Sequence, residues 1–118
     1  MKIEKIADKM EYSEETFTKR LLFSEEKVLN FVLNLMPGQK LPPHHHEESD
    51  LILHVITGEG MLTVDGNSQK IAAGDVIHCA GEEEFSLKND TKNNLSCFVI
   101  LAPRPVPKIY ADEIMPGE

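Results

Sequence analysis

Residues 38–60 read GQKLPPHHHEESDLILHVITGEG, with three consecutive histidines, His44, His45 and His46, between a Pro42-Pro43 pair and an apolar run. Purification tags sit at chain ends, whereas this run is interior and flanked by patterned sequence. In an extended chain, residues i and i+2 point the same way, so His44 and His46 converge while His45 points away. Two converging imidazoles are half of a metal-ligand set, and the flanking sequence has to supply the rest.

Outward from this stretch the chain reads as short strands separated by turn chemistry. ETFTKRLLF (15–23) and VLNFVLNLM (28–36) are strands, the second broken by the MPGQ turn, and LILHVI (51–56) is a third. MLTVDGNSQKIAA (61–73) has the form of a hairpin turning at Asp65-Gly66-Asn67. GDVIHC, FSLKN and LSCFVILA supply three more strands, with a polar NDTKN loop before the last. Gly58 and Gly60 suit a tight turn. After Ala102 the sequence PRPVP lacks ladder donors, so the sheet is expected to end there and leave an extended tail. Many short strands at close spacing predict an all-β sandwich or barrel in one domain.

The chain carries 12 basic and 20 acidic residues, a net charge of −8, with no basic stripe to attract a phosphate backbone, so nucleic-acid binding is not expected. No apolar run has the length of a membrane helix, and MKIEKIADKM lacks the apolar core of a signal peptide. The expectation is a cytoplasmic protein that does not contact membranes. Cys79 and Cys97 lie in apolar β segments and read as buried free thiols.

Two spacings together resemble those of a small single-domain cupin. Gly38 is followed after five residues by His44-His45-His46, and Gly58 closes that motif. Gly74 opens the second motif and Asn89 closes it, with a short hairpin between the two motifs. The resemblance spans about residues 31–102. It implies a double-stranded β-helix, the cupin or jelly-roll barrel, as a single domain over 1–118. The barrel would occupy about 27–102, with an N-terminal strand segment at 14–24 and the tail at 103–118.

The same resemblance implies a divalent metal, Zn, Ni, Mn or Fe, held by two His and a Glu of the first motif and a His of the second. His44 and His46 match. The Glu position falls on Leu51 and the second His position on Phe85. Two imidazoles with no carboxylate leave a divalent cation short of ligands and of balancing charge, so any metal is expected to be weakly held. Asp50, His54, His78 and Glu84 are the candidates to complete the set. Asp50 and His54 share a face of their strand, but aiming them inward would turn Leu51, Leu53 and Val55 out. Glu84 belongs to an acidic loop, Glu82-Glu83-Glu84, and His78 suits packing on the barrel wall. With Leu51 and Leu53 inward, these two and Phe85 line an apolar pocket.

Three functional readings stay open, one of them a purely structural or partner-binding barrel. Another is a barrel that binds a small molecule, with a partial metal site. The other is a metal-dependent enzyme, of isomerase, decarboxylase or dioxygenase type, acting on a small organic acid, sugar or aromatic. The resemblance also implies a homodimer, with TFTKRLLF as the strand edge that pairs.

Overall fold

The computed structural model describes residues 1–116. Nine strands form two antiparallel sheets: β1 (Thr18–Glu25), β2 (Val28–Leu35), β3 (Lys40–His44), β4 (Asp50–Thr57), β5 (Glu59–Val64), β6 (Asn67–Ala72), β7 (Val76–Cys79), β8 (Phe85–Lys88) and β9 (Leu95–Ala102). The larger sheet has the order β1-β2-β9-β4-β7, and the smaller has β3-β8-β5-β6. Strand pairs β4–β9 and β5–β8 join segments distant in sequence, giving the all-β double-stranded β-helix implied by the motifs.

Period-2 patterning builds the core. On β4, Leu51, Leu53 and Val55 are buried, while Asp50, Ile52, His54 and Ile56 lie on the other face. Leu51 stands opposite Leu101, Leu53 opposite Val99 and Val55 opposite Cys97, so β4 and β9 present one continuous inward row. Phe31 and Leu33 of β2 extend that row through Val99 and Cys97. Each leucine so buried contributes about 1.5–3 kcal/mol of transfer free energy, enough to fix the register.

Three local features depart from simple alternation. A bulge between Leu21 and Phe23 re-aims β1, leaving Lys19 and Leu21 facing inward opposite Leu33 and Phe31, and Phe23 outward opposite Asn30. In β3 the register shifts between Leu41 and His44, where Pro42 and Pro43 sit on an edge strand that tolerates missing donors. Gly60 is not part of a turn. It lies within β5, where an added Cβ would come 2.7 Å from Leu95 Cδ2, so close approach rather than turning requires it.

The β5–β6 connection is a two-residue turn at Asp65 (φ 47°) and Gly66 (φ 80°), the left-handed pair that matches strand twist. Before β1, residues 1–17 include a 3-10 turn at Ile6–Lys9, and the first strand starts at Thr18 rather than near residue 14. This segment is pinned to the outer sheet face by buried polar groups. Asn34 donates to Lys9 O (2.8 Å) and Thr18 Oγ1 (3.0 Å) and accepts from Ser96 Oγ (2.7 Å), while the Tyr12 hydroxyl meets Ser96 Oγ at 2.5 Å.

The tail differs from the extended arm expected. The ladder does stop at Ala102, but the chain then forms a 3-10 turn at Lys108–Ala111 and returns to β1, where Lys19 and Ile114 exchange backbone hydrogen bonds at 2.9 Å. Prolines end a ladder without preventing a later turn, and Tyr110 and Ala111 find apolar cover against the core. Positions 117 and 118 of the expected tail lie outside the described residues.

Asn89, which closes the second motif, is fully buried and structural. Its amide donates to Leu35 O (2.9 Å) and Asn93 O (2.8 Å), and its oxygen accepts from Thr91 N (3.0 Å) and Thr91 Oγ1 (2.8 Å). Asn89→Ala leaves two carbonyls without this donor and frees the 89–93 loop. The substitution should lower unfolding stability by about 2 kcal/mol in urea titration, with an unchanged slope.

Candidate functional site

His44 ends β3, and His46 lies just beyond it in the loop that returns to β4. This loop is tied at both ends. His46 N donates to Gly81 O (2.9 Å), Ser49 N donates to His46 O (3.0 Å), and Ser49 Oγ donates to Pro103 O (2.6 Å). Glu47 takes a left-handed conformation (φ 54°) to make the turn. Gly81 allows the loop to approach, since a Cβ there would lie 1.8 Å from Glu47 O. The second-motif loop therefore positions the first-motif histidines through backbone contact, without supplying a ligand.

The two imidazoles meet edge to face with centroids 4.7 Å apart, while His45 is exposed. Phe85, paired with His44 across β3 and β8, packs 4.5 Å from the His44 ring and 5.5 Å from the His46 ring. Tyr110, from the 3-10 turn of the tail, closes the other side at 5.1 Å from His46 and 6.5 Å from His44. The Tyr110 hydroxyl donates to His45 O (3.2 Å). Beside this aromatic cluster, Lys19 Nζ sits 4.6 Å over the Phe31 ring and donates to the main-chain carbonyl of Tyr110.

The remaining candidates lie elsewhere. Asp50 and His78 are on the outer sheet face, where His78 Nε2 and Asp50 Oδ2 are 2.9 Å apart, and His54 is exposed on that same face. Inward packing of Leu51, Leu53 and Val55 forces this, because alternation cannot bury both rows. His78 is thus bonded to a carboxylate in solvent rather than packed on the inner wall. Glu84 is exposed in the connection before β8 and is bonded to the β5–β6 turn, its carbonyl accepting from Asp65 N (2.8 Å) and its N–H donating to Asp65 Oδ1 (2.9 Å). Leu51 and Leu53 are sealed core, 2% and 0% exposed, and so form the barrel wall rather than the lining of an open pocket.

A divalent ion does not fit the residues that converge. Among the described residues no three His, Cys, Asp or Glu side chains gather as a ligand group. The place beside the imidazole pair is taken by Phe85, which has no lone pair to offer. His44 Nδ1 is engaged with Pro42 O at 2.9 Å, leaving Nε2 as its remaining ring nitrogen.

Sequence reasoning missed Lys19 and Tyr110. Lys19 was readable, since Phe17, Lys19 and Leu21 alternate with outward residues along the first strand. Tyr110 carried only a weak signal, an aromatic beyond a proline run.

Burial, then the positive fields of His44, Lys19 and His45, push the His46 imidazolium down to about 3, and burial likewise lowers His44. His46 is therefore neutral when folded, whereas the unfolded chain protonates near its ordinary value. The unfolded state binds the extra proton between about pH 6.5 and 3, so this contribution to stability is complete above 6.5 and drains as pH falls. Denaturant midpoints measured from pH 7 to 4 should fall for the native chain, with a slope of up to about 1.4 kcal/mol per pH unit from this group. His46→Gln should flatten the profile.

With this geometry in place, comparison with known proteins is informative. The family model described as "Cupin domain" matches residues 31–101. A curated relative, the oxalate-binding protein of Thermotoga maritima, is 29% identical over 69 residues, which cover 58% of this chain and 57% of that protein. The match therefore spans little more than half the length of that relative. The crystal structure of TT1209 from Thermus thermophilus superposes with a TM-score of 0.84 at 27% identity, over 89% of this chain and 100% of that one. A Klebsiella pneumoniae protein with a double-stranded β-helix domain gives 0.83 at 17% identity, over 100% and 99% of the two chains. The family motifs, the strand order and these likenesses agree: the chain belongs to the cupin family.

Proposed function

We propose that this cupin binds a small molecule at the barrel mouth formed by His44, His46, Phe85 and Lys19, over which the Tyr110 ring lies, and does so without a tightly held metal. The observation that carries this reading is the packing of two aromatic rings, Phe85 and Tyr110, against the histidine pair, with Phe85 at the position of the third imidazole and Leu51 at that of the carboxylate. An apolar wall with a few convergent polar groups orients a small ligand rather than a hydrated ion. The name of the Thermotoga relative, an oxalate-binding protein, supports small-molecule binding as a theme of such barrels.

Purified protein should contain well under one equivalent of Zn, Ni, Mn or Fe by mass spectrometry. A metabolite that raises the melting temperature should do so equally after chelator treatment. Stoichiometric metal that disappears in a His44→Ala, His46→Ala variant would instead establish the second reading, a metal-dependent enzyme. That reading is favoured by one feature: His44 Nδ1 is engaged by a backbone carbonyl, the arrangement that orients a ligating imidazole.

We also propose a homodimer in the cytoplasm. Its interface would be the outer face of the larger sheet rather than the β1 edge, because the tail already occupies that edge at Lys19 and Leu21. On the outer face Phe23, Val28, Phe98 and Ile100 surround a depression of about 400 Å³, with the oppositely charged Lys2 and Glu25 on its rim. Lys2 and Glu25 are ion-paired within the chain, so the apolar centre would carry the contact and this pair would form its polar rim. The cytoplasm accords with two buried free cysteines, Cys79 and Cys97, in one small barrel. Light scattering at micromolar concentration should give twice the 13.3 kDa chain mass, and Phe98→Glu should give the monomer.

A further inference from the structure

The barrel mouth places one half-buried ammonium beside two neutral imidazoles in a chain of net charge −8. Lys19 reaches it from β1, His44 and His46 from the β3 end, and the positive field of Lys19 acts on both imidazoles. Asp112 is the carboxylate whose field acts on Lys19, yet the atom that receives the ammonium hydrogen bond is the carbonyl oxygen of Tyr110. That oxygen is planar, sp² and partly negative. In hybridisation and bonding it resembles one oxygen of a carboxylate. The Tyr110 ring next to it fills the space against His46 and His44.

From this geometry we infer that the mouth is an anion site, that its ligand is a small carboxylate, and that the tail at Tyr110 is a built-in occupant the ligand displaces. The inference rests on the small-molecule reading above and names its ligand class. A full negative charge forms a stronger hydrogen bond with a half-buried ammonium than a neutral carbonyl does, which supplies the driving force for exchange. Ile114 pairs with Lys19, Glu113 Oε2 accepts from Leu21 N (2.9 Å) and Arg20 Nε (3.2 Å), and the Tyr110 hydroxyl holds His45 O. Breaking the Tyr110 contacts leaves the pairing at 113–114 as the hinge anchor. A phosphate carries tetrahedral oxygens and more bulk than the carbonyl it would replace, and so suits this place less well.

The chain has two tyrosines and no tryptophan, so tyrosine emission reports directly on the tail. Tyr12 lies on the outer face against Ser96, and in full-length Tyr12→Phe protein Tyr110 is the sole reporter. Sodium oxalate and sodium acetate are titrated in parallel with sodium phosphate and neutral oxamide, and amide hydrogen exchange is followed over residues 108–114. Saturable change in emission with a carboxylate, together with faster exchange in the tail, is the expected result. Lys19→Met should weaken carboxylate affinity about tenfold or more, and Lys19→Arg should retain most of it. Tyr110→Ala, which removes part of the competing occupant, should bind the carboxylate several-fold more tightly.

Native-like carboxylate affinity in Lys19→Met, with the fold verified by circular dichroism, overturns the inference. So does preference for phosphate over both carboxylates, or binding that leaves tail exchange unchanged. Binding of oxamide or another neutral metabolite without any carboxylate response overturns the anion site while leaving the small-molecule barrel standing. If neither anions nor a neutral metabolite library shift the melting temperature, the proposed function itself falls.

Discussion

Packing of Leu51, Leu53 and Val55 of β4 against Leu101, Val99 and Cys97 of β9 is the constraint from which the character of the site follows. A strand offers two faces, and whichever row enters the core dictates what the other row can do. Because the apolar row is inside, Asp50 and His54 are outside, and Asp50 engages His78 in solvent. The histidine pair is thereby deprived of the Asp50 carboxylate by the same contacts that stabilise the barrel. Reversing the register would bring two candidate ligands, Asp50 and His54, inward and turn three apolar side chains toward water, at about 1.5–3 kcal/mol each.

Much of this was legible in the sequence, and the legible part is the periodic part. Alternation gave the inward rows of β2, β4 and β9, and the spacing of Gly38, His44 and Gly58 placed the imidazoles at a strand end. Asp65-Gly66 declared its turn because few residue pairs take two left-handed conformations in succession. What escaped were features with no period. The bulge at Leu21/Phe23 moves Phe23 from the inner to the outer face, and one inserted residue leaves no mark on composition. Gly60 resembles a turn glycine until the neighbouring strands are known, since only Leu95 and Lys88 reveal that it serves close approach. Tyr110 is the clearest case. A single tertiary contact from a proline-rich tail has no repeat to betray it.

The second motif also shows how a scaffold keeps its geometry when its chemistry changes. Gly81 and Asn89 still organise the mouth, one by admitting the 46–49 loop against its backbone and the other by fastening the 89–93 loop to β2. Phe85 sits between them, where the family pattern carries a histidine. Its ring stacks obliquely on both remaining imidazoles, replacing coordination with aromatic contact. The backbone framework and the ligand set are therefore separable, and a match to the family model reports the first without guaranteeing the second.

Charge decides what such a mouth can hold. A divalent cation entering it would meet the Lys19 ammonium and two imidazoles already kept neutral by burial and by that ammonium, with a phenyl ring where an anionic ligand is needed. The ammonium, and a phenyl ring in place of an anionic ligand, disfavour a positive guest, and the ammonium favours a negative one. Lys19 is itself lowered to about 8, chiefly by burial, so its charge is costly to maintain in the absence of a partner. The Tyr110 carbonyl supplies a partner that is adequate but uncharged. In electrostatic terms the protein holds the positive charge at this mouth, balanced by the field of Asp112 and a neutral carbonyl, and the inferred carboxylate would bring a full negative charge into direct contact with it.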